Sequence, residues 1–203
     1  MEHFTRGFSG RARPAREREL PPGQYDVGED WPVLTAEATP RLDPATFSVA
    51  IGGLVASPVR FSLAELDSLE HSTYRGAIHC VTTWSKFGMF FEGVSLDTLF
   101  QVASPLAEAR FGLVRSHTGY TTNLPLSDLE GGRALIATRV NGEPLSVEHG
   151  GPARLVVPHL YFWKSAKWVA EITLAATDVP GFWEQNGYHD RGDPWQEQRY
   201  QGD

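Results

Sequence analysis

The chain holds a single cysteine, Cys80, within the run His79-Cys80-Val81-Thr82-Thr83-Trp84-Ser85. One thiol forms no internal disulfide. The multi-cysteine spacings of zinc sites and iron–sulfur clusters are absent as well. A hydrophobic core must therefore hold the fold, and 203 residues with 41% hydrophobic and 21% charged content suffice for one. Three uses are open to Cys80 itself. It can be a small buried hydrophobe, the commonest fate of a free cysteine, or a nucleophile. It can also be one soft ligand of a metal that brings its other ligands along.

Local patterns favour strands. Phe47-Ser48-Val49-Ala50-Ile51 alternates apolar and polar and runs into Gly52-Gly53, which reads as a strand and a turn. Ser62-Leu63-Ala64-Glu65 is a capping-box pattern and predicts a short helix to about Leu69. The β-branched stretch from Thr73 to Thr82 predicts a strand leading into Cys80. Ser95 to Phe100 reads as a second helix start. Further strands are predicted over Phe111 to Ser116, Ala134 to Val140, Arg154 to Val157 and Trp168 to Leu174, with Asn141-Gly142 as a tight turn. No long βαβ alternation is present, so the expected class is α+β, with mixed β-sheets and short helices. Residues 1–30, rich in Arg, Pro and Gly, read as a flexible leader, and residues 31–203 as a single domain. Its tail, 181–203, is aromatic and polar and is expected to wrap the domain and close its edge.

The balance of 18 basic against 25 acidic residues gives a net charge of −7. That excess argues against nucleic acid as a partner. No apolar run approaches the roughly 20 residues of a membrane span. The arginines near the N-terminus are not followed by the apolar stretch of a secretory signal. The expected location is cytoplasmic, and a lone thiol fits a reducing compartment.

A second segment carries chemistry. Gly150-Gly151-Pro152-Ala153-Arg154-Leu155-Val156-Val157-Pro158 is followed by Lys164-Ser165-Ala166-Lys167-Trp168. Glycines bring backbone N–H groups close to an anion, Arg154 can grip a phosphate with two hydrogen bonds, and Lys164 and Lys167 add point charges. The plainer alternative is a surface strand with solvated lysines. Neither a P-loop nor a Gly-x-Gly-x-x-Gly pattern is present. His71, His117, His149 and His159 lack metal-box spacing, and no Gly-x-Ser-x-Gly elbow occurs. In an extended chain His79 points away from the side that Cys80 faces.

The cysteine run, with Phe91-Glu92-Gly93-Val94 after it, and the glycine–arginine–lysine segment together resemble the sulfite oxidase superfamily of molybdenum enzymes. The likeness runs from about Trp31 to Ala175 and is greatest to its short, haem-free members. It implies the sulfite-oxidase molybdopterin-binding domain fold around one molybdenum–molybdopterin (Mo-MPT). It implies Cys80 as the metal ligand, and Arg154, Ser165, Ala166 and Lys167 as residues that hold the pterin and its phosphate. His149 stands where relatives carry a cofactor-contacting asparagine, and Thr118 is the nearest match to a threonine contact.

The implied activity is oxygen-atom transfer to or from a small substrate, with electrons exchanged with a separate partner. The rather apolar rim of Trp84, Lys86, Phe87, Met89 and Phe90, together with the negative net charge, favours a neutral S-oxide or N-oxide. Sulfite oxidation is the alternative, with Arg75 and Arg115 forming an anion pocket. Two further readings stay open: a cofactor-binding module without turnover, and a cysteine-nucleophile enzyme pairing Cys80 with His117 or His149.

Overall fold

The computed structural model describes residues 20–203. Two mixed β-sheets form its frame. The first comprises β1 (Tyr25–Asp26), β4 (Ser72–His79), β5 (Trp84–Ser95), β8 (Leu135–Val140), β9 (Glu143–Pro144) and β10 (Arg154–Val156). Its spatial order is β1-β5-β8-β10, with β4 paired to β5 and β9 to β8. The second comprises β2 (Ser48–Gly53), β3 (Val59–Ser62), β6 (Phe111–Ser116), β7 (Thr121–Pro125) and β11 (Val169–Ala175), in the order β3-β2-β11-β6-β7. The β1–β5 and β2–β11 pairs are parallel, and the other pairs are antiparallel.

The helices are short: α1 (Leu63–Ser68), α2 (Leu96–Ala103), α3 (Leu126–Leu129) and α4 (Phe182–Gln185). Ser62 and Glu65 form the expected reciprocal cap of α1, which satisfies two N-terminal donors. Ser95 caps α2 by accepting from Thr98 N. The predicted α+β class is what the chain adopts. Among the described residues no helix is long and apolar enough to cross a membrane.

The main core lies between the sheets and α2. It joins Val49 and Ile51 of β2, Val114 of β6 and Ile172 of β11 to Leu96, Leu99 and Phe100 of α2. A second cluster covers the opposite face of the first sheet with Ile78, Trp84, Met89, Phe91, Leu135 and Val156. Along β8, Leu135 and Ala137 enter the second cluster while Ile136 enters the first. The run Leu135-Ile136-Ala137 is continuously apolar because both faces of this central strand are covered. Asn141 and Gly142, at φ 51° and 85°, make the tight turn into β9.

The expected leader over residues 1–30 lies outside the described residues as far as residue 19. Beyond it, the stretch around residues 25–29 is tied to the domain by specific contacts. Tyr25 and Asp26 pair with Trp84 and Ser85 of β5, and buried Lys86 donates to the carbonyls of Gly28 and Glu29. Backbone pairing and a buried ammonium thus fix a stretch whose composition alone reads as flexible.

Candidate cofactor site

Cys80 opens the hairpin loop between β4 and β5. The loop is closed by Cys80 N to Trp84 O at 2.8 Å and by Thr83 N to Cys80 O at 3.1 Å. Cys80 Sγ lies 3.1 Å from Thr82 Oγ1, and the residue lines a mostly apolar-walled cavity of about 280 Å³. Burial pushes the thiol's pKa up, against weaker downward pulls from Thr82, nearby backbone groups and Arg199. Burial thus favours the neutral thiol, and a soft metal that binds there displaces its proton. His79 turns to the other side, as strand alternation predicts. Its Nδ1 lies 2.7 Å from Ser85 Oγ, its ring meets Trp195 edge-on, and burial lowers its pKa to about 4.

Arg154, His149, Ser165, Ala166 and Lys167 line the same cavity as Cys80. Arg154 is 2% exposed. Its guanidinium donates to His149 O at 2.7 Å and Ser165 O at 2.8 Å, and stands 4.2 Å from the Phe162 ring centroid. Among the described residues no carboxylate pairs with it, and burial lowers its pKa to about 9. Lys167 Nζ likewise donates only to carbonyls, Leu34 O at 2.9 Å and Glu148 O at 2.6 Å. Burial, with the Arg154 charge added, lowers its pKa to about 8. Gly150 lets these two side chains converge. It stands at φ +106°, and a Cβ there would lie 3.0 Å from Arg154 Cβ and 3.1 Å from Lys167 Cβ. His149 is stacked on Trp31 with centroids 3.8 Å apart, and its Nε2 lies 3.2 Å from Trp31 O.

Two expected cofactor contacts are not brought to the cavity. Thr118 lies in the β6–β7 turn with Oγ1 2.7 Å from Ser116 Oγ, and Tyr120 and Glu37 line the wall instead. Lys164 ends a 3₁₀ turn, Phe162–Lys164, and points into the protein, whereas Lys167 follows in a bend. It is fully buried, 2.6 Å from Glu184 Oε1, and donates to Asn123 O at 2.8 Å. The arginines of the sulfite reading are also elsewhere. Arg75 lies 3.6 Å over the Phe90 ring, and Arg115 pairs with Glu171 on the second sheet.

A cysteine nucleophile finds no base. His117 lies off the cavity, with Nε2 3.1 Å from Ser48 O, and both His149 nitrogens are engaged by Ser146 and Trp31. The raised thiol pKa points the same way. Sequence reasoning missed the aromatic walls Trp31, Trp163, Trp183 and Tyr188. Trp183 and Tyr188 belong to the tail that reads only as an edge wrap, and no local pattern marks them as cavity residues.

A soft thiol and two cations without carboxylate partners, lining one mostly apolar cavity, suit an anionic cofactor that carries a metal. Among the described residues no group of three or more His, Cys, Asp or Glu side chains is placed to hold a bare metal ion. A lone thiol beside two cations fits a group that supplies most of its own ligands. The fold and the cavity thus describe a domain built to bind an anionic, metal-bearing cofactor.

The comparisons give its family. Residues 36–183 match the oxidoreductase molybdopterin binding domain, and the chain belongs to that family. It is 39% identical to the uncharacterized oxidoreductase YuiH of Bacillus subtilis (strain 168) over 97% of this chain and 100% of that protein. It is 29% identical to the protein-methionine-sulfoxide reductase catalytic subunit MsrP of Gluconobacter oxydans (strain 621H), over 80% of this chain and 56% of MsrP. The crystal structure of the sulfane dehydrogenase SoxCD from Paracoccus pantotrophus shares the fold. Its TM-score is 0.65 at 19% identity, over 87% of this chain and 57% of that one. The protein is an oxidoreductase, and its cofactor is molybdenum–molybdopterin.

Proposed function

We propose that Cys80 is the protein ligand to molybdenum and that Arg154 and Lys167 hold the cofactor phosphate, with His149, Ser165 and Ala166 against the pterin. The observation that carries this reading is the meeting of Cys80 and the two carboxylate-free cations in one cavity. When bound, the cofactor supplies two-electron redox chemistry coupled to movement of an oxygen atom. The chain's own residues do the rest. Cys80 contributes a soft thiolate, Arg154 and Lys167 neutralise the phosphate, and Trp31, Trp84 and Phe162 exclude water around them.

The favoured substrate is a neutral S-oxide or N-oxide. The walls near Cys80 include Trp84, Trp183 and Tyr188, an apolar and aromatic surface that suits a sulfur-bearing group. The likeness to a methionine-sulfoxide reductase supports the same substrate class. Sulfite oxidation has less support, because Arg75 and Arg115 do not line the cavity. Electrons are exchanged with a separate redox partner in this reading. The cytoplasm is the proposed compartment, on the ground that a single unpaired thiol suits reducing conditions.

The test is Cys80→Ser in protein purified from a molybdopterin-competent host. A protonated hydroxyl replaces the thiolate, so turnover of sulfoxides with an artificial electron donor falls below a hundredth of wild type. Pterin content stays near wild type, because the phosphate grip lies elsewhere. Wild-type turnover in this variant overturns the ligand assignment. Fast sulfite-dependent reduction of an acceptor by the wild-type enzyme, with no sulfoxide turnover, overturns the substrate class.

A further inference from the structure

The loop that carries Cys80 is held from outside by both ends of the described chain. Gln24, beside β1, donates Nε2 to Cys80 O at 3.0 Å and accepts from Ser85 Oγ at 3.2 Å. Arg199, in the C-terminal tail, donates Nη1 to Val81 O at 2.7 Å and reaches Pro22 O with Nη2 at 3.4 Å. Its guanidinium lies 5.1 Å from the Tyr161 ring centroid. Two consecutive carbonyls of the loop are thus gripped by side chains 56 and 118 residues away in sequence. Neither Gln24 nor Arg199 lines the cavity.

The same loop contains a backbone outlier. Thr83 stands at φ +75°, in the left-handed region that a β-branched residue rarely adopts. Such a conformation persists only where the surroundings over-determine it. The hairpin supplies two backbone bonds, Tyr25 N of β1 adds one to Thr83 O, and the side-chain grips on Cys80 O and Val81 O add two more from outside. Arg199 is also close enough for its charge to act on the Cys80 sulfur.

We propose that Gln24 and Arg199 are positioning residues that clamp the strained Cys80–Thr83 turn and set the direction in which Cys80 Sγ meets the metal. This rests on the reading of Cys80 as metal ligand and gives a role to two residues outside both cofactor segments. Arg199 has a second effect through its charge. A cation beside a thiolate-bound metal favours the more reduced state, so its removal lowers the metal's reduction potential.

The experiment compares Arg199→Ala, Arg199→Lys, Gln24→Ala and the double variant Arg199→Ala/Thr83→Gly as holoenzymes. The readouts are the molybdenum electron paramagnetic resonance signature, the midpoint potential, and kcat against KM. Arg199→Ala is expected to change the signature, lower the potential and reduce kcat by about tenfold or more with KM little changed, since a small misplacement of a reacting group has effects of this size. Arg199→Lys restores the potential in part. Gln24→Ala changes the signature but not the potential. Thr83→Gly on the Arg199→Ala background restores the signature, because glycine takes φ +75° without strain. In cofactor-free protein, Cys80 of Gln24→Ala is alkylated faster than in wild type, because the loop is loosened while the Arg199 charge stays in place.

Wild-type signature and potential in Arg199→Ala, together with wild-type signature and alkylation rate in Gln24→Ala, overturn the proposal. A changed signature that Thr83→Gly leaves unrestored also overturns it, since the loss is then one of tail packing. Cys80→Ser separates the two readings. If it loses the wild-type signature while Arg199→Ala keeps it, only the clamp fails. If Cys80→Ser keeps the signature, the ligand assignment and the clamp fall together.

Discussion

Lys164 and Lys167 stand three residues apart, yet they belong to opposite kinds of interior. Around Lys164 every buried charge has its counter-charge. Glu184 Oε1 accepts from Thr122 Oγ1 and Trp163 Nε1 and lies 2.6 Å from Lys164 Nζ. Nearby Asp128, 1% exposed, meets His159, Arg133 and Arg191. Burial pushes the Asp128 carboxyl up, but the hydrogen bonds from His159 and Arg191 outweigh it and hold the group well below the usual carboxylate range. Around Lys167 and Arg154 the cations meet only carbonyls and rings. A buried cation with its carboxylate is scaffold. In the proposed reading, a largely buried cation without one is a place for an anion that arrives later.

Removing charge on the scaffold side should have the largest effect. Lys164→Met leaves Glu184 buried and unpaired, which costs about 3–5 kcal/mol of stability. Glu184→Gln, removing the other partner, should lower stability by a similar order. Denaturant unfolding of the cofactor-free protein checks both. If Lys164→Met instead lowers cofactor content and leaves stability intact, the division between the two regions is wrong.

The cradle should respond the other way. Arg154→Met removes a charge-assisted contact of roughly 1.5–3 kcal/mol to the phosphate, about a tenfold to hundredfold loss in cofactor affinity. Stability of the cofactor-free chain should change little, because the buried charge removed has no carboxylate to leave behind. Molybdenum and pterin content on purification, set beside thermal melting of the cofactor-free form, measures the contrast. Unchanged content would break it.

The smallest effect should be a pH dependence. The folded pKa of Lys167, about 8, lies below the ordinary lysine value of 10.5, so burial favours the neutral amine. The charged form that grips an anion is present below that pH and is lost as pH rises through about 8. Pyrophosphate, as a probe of the cofactor-free cradle, should therefore bind several-fold more weakly at pH 9 than at pH 7. The contribution of Lys167 to stability runs in the opposite sense. The cost of burying its charge is full below pH 8 and fades between about 8 and 10.5. Calorimetric titrations of wild type and Lys167→Met at the two pH values sharpen the comparison: the variant should lose the pH dependence that belongs to this lysine.

Much of the frame is legible locally. Ser62 and Ser95 announce α1 and α2, because a cap and the backbone N–H it accepts from lie within three residues. Asn141-Gly142 announces its turn through left-handed propensity. β6 and β11 are found within a residue of their sequence-predicted ends. β3 and β7 were not foreseen, and the long β5 was read as a rim of aromatics. The register shifts of β5 against β4 and β8 break the two-residue alternation that a strand reading needs.

At the site, the sequence by itself determined the chemistry on offer: one thiol at Cys80, and a glycine-flanked cationic segment at 150–167. Which of those cations face the cavity was decided only in three dimensions, where a single 3₁₀ turn sends Lys164 to Glu184 and leaves Lys167 beside Arg154. The same holds for Gln24 and Arg199 at the cysteine loop and for Trp183 and Tyr188 in the wall. The physical reason is range. Caps, turns and strand alternation act over two to four residues and leave a mark in the local pattern. A hydrogen bond between residues 118 positions apart exists only once the sheets have paired and the tail has packed across them.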